Sequence, residues 1–248
     1  MNNQEQIAHN YTIPMKDNGF IIHEGITNGE KFAVIATLKT SNRKTGNMIQ
    51  IWILLADHSP VDGVKSGLDA KTICTGCKFA NGNGCYVNVG QAPNSIWKAY
   101  KAGKYQTLHP FLYDSVFNKR KVRFGAYGNP SLIPLSIVKA ITESCDGWTG
   151  YFHDWKEMPS AKASAYGKYF MASTETNDSL RRAKAKNLRF FHVSPNQPKD
   201  TIECLSDSKG LSCDQCQLCK GNRIGAKSIW INPHGSKKKR AIEQAISN

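Results

Sequence analysis

The chain is short of acidic residues and of long apolar runs. Asp and Glu number 19 against 33 Lys and Arg, a formal net charge of +14. An excess of that sign favours a polyanionic partner, nucleic acid or an anionic surface, and says nothing about fold. No stretch of about 18 apolar residues occurs, so no transmembrane helix and no membrane partner is expected. The opening residues 1–10 are polar and lack the apolar core of a secretion signal, which points to a reducing, cytoplasmic compartment. Cysteines there serve more often as metal ligands or catalytic thiols than as disulfides.

What is present is enough for a packed protein. Hydrophobic residues make up 40% of 248, sufficient for one large α/β domain or two small ones. The first stretch reads as antiparallel β, with runs at 19–25, 31–39 and 48–56 and a hairpin signal at Asn28-Gly29. Residues 57–94 are poor in periodicity and rich in Gly and Cys, a loop long enough to need pinning. A short helix follows at 95–103, with Ser95 as its cap and Gly103 as its stop. From 121 onward strands and helices alternate: strands at 122–126, 148–152, 168–172, 188–193 and 227–231, helices at 135–145 and 177–187. Repeated βα units imply parallel strands with right-handed crossovers. The expected fold is α/β: a partial (β/α) barrel behind an N-terminal antiparallel β layer, carrying two Cys-rich metal-binding loops. A doubly wound open sheet is the alternative. The corresponding divisions are residues 1–60, 61–235 and a basic tail, 236–248, in which a charge run at 236–240 precedes a frayed helix.

Seven of the eight cysteines fall into two sets. Cys213-x2-Cys216-x2-Cys219, with Cys204 upstream, can turn its sulfurs toward one centre, as ferredoxin-type [4Fe–4S] runs do. Four thiolates also suit tetrahedral zinc, but zinc folds more often pair two CxxC knuckles, so the triple run leans to iron–sulfur. Cys74-x2-Cys77-x7-Cys85 leaves a fourth position unassigned, for which Cys145, His109 and His153 are candidates. Either the set is a closed staple for the long loop, or the open position takes a ligand.

Ligands of parallel sheets sit beyond the C-terminal strand ends. Those ends are polar here, and His153, Asp154, Glu175 and His234 would face one pocket as candidate catalytic residues. Both Cys-rich loops follow strand ends as well, which would put both metals on that face. Basic and aromatic residues interleave at Trp97, Lys98, Lys101 and Lys104, and Arg181 and Arg182 crowd one helix. With the +14 balance, these are candidate nucleic-acid contacts.

The segments CTGCKFANGNGCYVNVGQ, RFGAYGNPSLIP, GWTGYFHDW, YFMAST and C…CDQCQLC…INPHGS resemble an uncharacterised family of phage- and plasmid-borne Cys-rich proteins. That resemblance implies a host-cell cytoplasmic setting and no particular chemistry. A second resemblance is to radical-SAM barrels. It implies that Cys74, Cys77 and Cys85 hold a [4Fe–4S] cluster, that Gly128-Asn129-Pro130 is the cofactor-binding turn, and that the C-terminal cysteines hold an auxiliary cluster. Three functions follow as expectations. The first is an iron–sulfur, nucleic-acid-associated protein of a mobile element. The second is a radical-SAM-like iron–sulfur enzyme. The third is a structural zinc adaptor.

Overall fold

The computed structural model describes residues 18–223 and 225–246; the first 17 residues of the expected β region and the end of the tail lie outside them. Ten strands form one sheet: β1 (Gly19–Thr27), β2 (Glu30–Thr37), β3 (Ile49–Leu55), β4 (Gln106–Thr107), β5 (Lys121–Tyr127), β6 (Gly147–Phe152), β7 (Met171–Thr174), β8 (Phe190–Val193), β9 (Thr201–Glu203) and β10 (Ser228–Ile231). The order is β4-β1-β2-β3-β5-β6-β7-β8-β10-β9. The protein is therefore a mixed α/β fold with a large, mostly parallel sheet. That sheet has two edges, β4 and β9, among the described residues. Among them, too, no helix is long and apolar enough to cross a membrane.

β1, β2 and β3 pair antiparallel, as the sequence leads one to expect. Asn28 and Gly29 turn the first hairpin with φ of 48° and 83°, the left-handed values that a two-residue hairpin turn needs. β3 is buried along its whole length because β2 flanks it on one side and parallel β5 on the other, with elements above and below. The expected antiparallel layer is thus continuous with the parallel sheet.

From β5 through β6, β7 and β8 to β10 the parallel strands advance in one direction; β9 steps outside β10, and β4, which precedes β5 in the chain, lies at the far edge beside β1. A doubly wound sheet would reverse direction at a switch point, and these five strands do not. With right-handed crossovers, one-way order sends the connecting helices to one face. Val122, Phe124 and Phe152 belong to the main core; the residues between them, Arg123, Thr149 and Tyr151, line a cavity on the opposite face.

Several local expectations shift. The helix expected at 95–103 is Ala92–Lys101: Pro93 occupies its first turn and Gln91 its cap, so Ser95 lies inside it. Gly103 follows the end with φ 67°. The strand expected at 168–172 is Met171–Thr174, because Tyr169 and Phe170 still donate to the Tyr166 carbonyl and close the preceding helix. That helix, Ser160–Gly167, lacks an apolar stripe in the sequence and buries only Ala163, Tyr166 and Gly167. The helix at 177–187 is Asn177–Ala185, capped by Thr176 and Ser179 in a reciprocal box. In the tail, the charge run passes into the helix Lys238–Ile246, which buries Ala241.

Gly128, just beyond β5, has φ 77°, and a Cβ there would lie 2.6 Å from the Ile53 carbonyl oxygen. Gly128→Ala is expected to lower unfolding free energy by about 2 kcal/mol or more. Chemical denaturation measures it, and a loss within experimental error would show that this turn is not held against β3.

Candidate functional site

The loop after β3 carries the first cysteine set. Asp69 anchors it, its carbonyl accepting the Thr72 and Cys74 amides at 3.2 and 2.7 Å. The Cys77 amide then reaches the Cys74 carbonyl at 3.2 Å, and the Cys85 amide the Phe79 carbonyl at 3.0 Å. Between the first two cysteines Gly76 turns with φ 74°, and a Cβ there would lie 2.6 Å from the His153 carbonyl. The loop therefore lies against the C-terminal end of β6. Burial raises the pKa of Cys74, Cys77 and Cys85; Cys77 and Cys85 add to the rise at Cys74, and Cys85 to that at Cys77.

The second set is tied elsewhere. Cys204 follows β9, and its amide donates to the Trp230 carbonyl at 2.8 Å. The triple run lies near the start of the parallel strands. The Cys213 amide donates to the Lys44 carbonyl at 2.8 Å, and that of Asp214 to the Thr45 carbonyl at 3.2 Å. Lys121 Nζ, at the start of β5, donates to the Asp214 carbonyl at 2.6 Å. The Asp214 carboxylate accepts from the Asn47 amide at 3.0 Å and from the Ser212 hydroxyl. The Gly150 amide reaches the Cys219 carbonyl at 3.1 Å. The expectation that both loops gather at the C-terminal strand ends therefore holds for the first set only. Burial raises the Cys213 and Cys216 thiols, and pushes Cys219 up to about 12; neighbouring thiols of the set add to each.

Both sets line one cavity of about 830 Å³, which lies over the sheet face that carries Arg123, Thr149 and Tyr151. All eight cysteines are free. Among the described residues, no three His, Cys, Asp or Glu side chains converge to hold a single metal ion. Cys145 is not part of the cavity lining. It ends the helix Leu135–Ser144, and its Sγ lies 3.4 Å from the Gly147 carbonyl.

The polar rim divides. His153 lines the cavity; its Nδ1 has no partner, and burial lowers its pKa against the pull of Glu175, so the ring is neutral. His234 sits at the mouth, stacked on Tyr86 and 3.2 Å from Lys44 Nζ. Asp154 and Glu175 are not in the lining. Asp154 accepts the Ser131 hydroxyl at 2.8 and 2.9 Å, and buried Glu175 takes Lys156 at 3.1 Å and the Ser173 hydroxyl at 3.0 Å. Of the expected turn, Gly128 lines the cavity, whereas Asn129 is fully buried and ties loops together. Its amide donates to the Ile73 carbonyl at 2.7 Å and its Oδ1 accepts the His153 amide at 3.3 Å.

The expected nucleic-acid residues are outside this cavity. Trp97 donates its indole N–H to the Ala56 carbonyl at 3.3 Å and packs on the core, which occupies the ring that would stack on a base. Lys98 and Lys104 are exposed. Lys101 pairs with Asp57 at 3.2 Å, Arg181 with Asp178 at 2.6 Å, and Arg182 donates to the Lys156 carbonyl at 3.0 Å.

Sequence reasoning missed Arg123, Thr149, Tyr151 and the pair Asp69–Tyr127. The signal for the first was period-two alternation: an Arg between Val122 and Phe124 in a strand must face away from the helix-covered side. Nothing local marked Asp69, whose carboxyl accepts the Tyr127 hydroxyl at 2.5 Å across the fold.

No known protein family, curated protein or solved structure matches the chain.

Burial raises the Asp69 carboxyl to about 6, with the Tyr127 hydrogen bond opposing it. The folded state then binds the proton more tightly than the unfolded chain. Its contribution to stability is full below about pH 4 and is lost as pH rises through 6. Relative to Asp69→Asn, the native chain should lose about 2 kcal/mol of unfolding free energy between pH 4 and 7. Denaturant titrations at both pH values measure this. A pH-independent difference between the two proteins would contradict the burial of an ionisable Asp69.

Proposed function

We propose that the chain is an iron–sulfur protein with a small-molecule site, built as a partial (β/α) barrel of the radical-SAM kind and acting as an enzyme. The observation that carries this reading is the convergence of two cysteine sets, far apart in sequence, on one cavity over the uncovered face of a one-way parallel sheet. The donors fit such groups in number and chemistry. Cys74, Cys77 and Cys85 would hold one cluster with a coordination position left open, and Cys204, Cys213, Cys216 and Cys219 a second, closed one.

Buried thiols with raised pKa values are neutral by themselves, and a bound metal would draw them into the thiolate form. The run Cys213-x2-Cys216-x2-Cys219 leans to a cluster over an ion, since zinc folds more often pair two CxxC knuckles. When bound, a cluster with an open iron supplies electron transfer to a ligand beside it.

The chain's own residues would shape what binds. His153 presents a neutral imidazole with a free ring nitrogen, suited to accepting or donating a proton. The Tyr86–His234 stack narrows the mouth. S-adenosylmethionine is not the ligand expected here, because the spacing C-x2-C-x7-C differs from the C-x3-C-x2-C of radical-SAM enzymes and Gly128-Asn129-Pro130 lacks their acidic residue. Nucleic-acid binding through exposed residues such as Lys98, Lys104 and Arg181 is a separate proposal, carried by the +14 net charge.

Anaerobically purified protein should be brown, with about eight iron and eight sulfide per chain for two four-iron clusters. Cys213→Ala should lower the iron content by about half, because the first set is independent of it. Colourless protein carrying about two zinc ions would replace this reading with structural staples.

A further inference from the structure

We propose that the cavity takes a small molecule bearing an oxyanion, carboxylate or phosphate, which docks on Arg123 and Thr149. The inference rests on the cavity being the ligand site and does not depend on which metal the cysteines hold.

Strand register places three polar residues in one row. Gln50 of β3 is the neighbour of Arg123 on β5, and Arg123 that of Thr149 on β6. All three line the cavity and are 2%, 6% and 1% exposed. Gln50 is satisfied within the protein: its Nε2 donates to the Thr45 hydroxyl and the Met48 carbonyl at 3.2 and 3.0 Å. Thr149 is not, and the partners of the Arg123 guanidinium are neutral. Thr149 Oγ1 is buried without a hydrogen-bond partner. The Arg123 guanidinium donates to the Tyr86 hydroxyl at 3.0 Å and lies 5.2 Å from the centre of the Tyr151 ring. Among the described residues no carboxylate pairs with it; the buried Glu175 is already matched to Lys156.

A guanidinium this deep is costly unless an anion answers its charge. Its flat fork matches the two oxygens of a carboxylate or two of a phosphate, and a hydroxyl on the adjacent strand can add one more donor. Trp52, Tyr151 and Phe191 line the same cavity and suit an apolar or aromatic body attached to that anion. Cys213 offers a competing explanation: a thiolate there would also answer the Arg123 charge. The test separates the two.

Isothermal titration of the full chain with benzoate and with phenyl phosphate, against uncharged benzamide, reads the site directly. At least one anion should bind about thirtyfold more tightly than benzamide, the advantage of a charge-assisted pair. Which of the two binds better assigns carboxylate or phosphate. Thr149→Val should weaken that anion about fivefold, and Arg123→Met should abolish its advantage over benzamide. Equal affinity for anion and amide overturns the proposal. So does unchanged anion binding in Thr149→Val, which decides the matter alone if Arg123→Met does not fold. Loss of bound metal from Arg123→Met, with its anion binding intact, would assign that arginine to the thiolates and also overturn it. Iron is measured on every sample. Anion-selective chains without iron would refute the clusters and leave the anion site standing; iron-loaded chains without anion preference would do the reverse.

Discussion

The one-way order of the parallel strands from β5 to β10 is the constraint on which everything else in this protein depends. Right-handed crossovers of that sense put the helices that connect those strands on one side of the sheet. The other side is left to be covered by something else. A sheet face this wide cannot stay bare in water, and here the loops around 74–91 and 204–220 extend over it. They leave a cavity beneath them instead of filling the space with a packed core. That is why the cysteines, the free imidazole nitrogen of His153 and the row Gln50–Arg123–Thr149 come together, although they span most of the sequence.

The covering loops are not shapeless strings waiting for metal. The second is fastened by backbone bonds from Cys213 and Asp214 to Lys44 and Thr45, by Lys121 on the Asp214 carbonyl, and by the Cys219 carbonyl on Gly150. The first is fastened through Asp69 and the close approach of Gly76 to His153. Most of these contacts join a loop to a strand or to the residues flanking one, so the sheet itself positions the thiols. Bound clusters would then add to a frame that hydrogen bonds already define, and the cavity would keep its outline as ligands exchange.

Much of this was legible in the sequence where a pattern is local. The hairpin at Asn28-Gly29, the buried run of β3 and the βα alternation from Lys121 each leave a periodic or turn signal, and each is present. The two cysteine sets were legible from spacing. What escaped was decided by tertiary packing. The helix Ser160–Gly167 has no apolar stripe, and β9 spans only Thr201–Glu203. Asp154 and Glu175 were expected in the pocket because they follow strand ends, but Ser131 and Lys156, from other loops, turn them into buried bonds. The triple cysteine run was placed at the wrong end of the strands, since a loop's starting point says little about where it returns. Arg123 was within reach of alternation alone; its lack of a carboxylate partner was not.

The central claim is that both cysteine sets hold iron within one cavity. A crystal of anaerobically prepared protein, with diffraction recorded on either side of the iron absorption edge, tests it most directly. The account predicts two strong iron peaks at opposite ends of the cavity, one beside Cys74, Cys77 and Cys85 and one beside Cys204, Cys213, Cys216 and Cys219. Peaks that appear only across the zinc edge, or thiols with no metal between them, would contradict it.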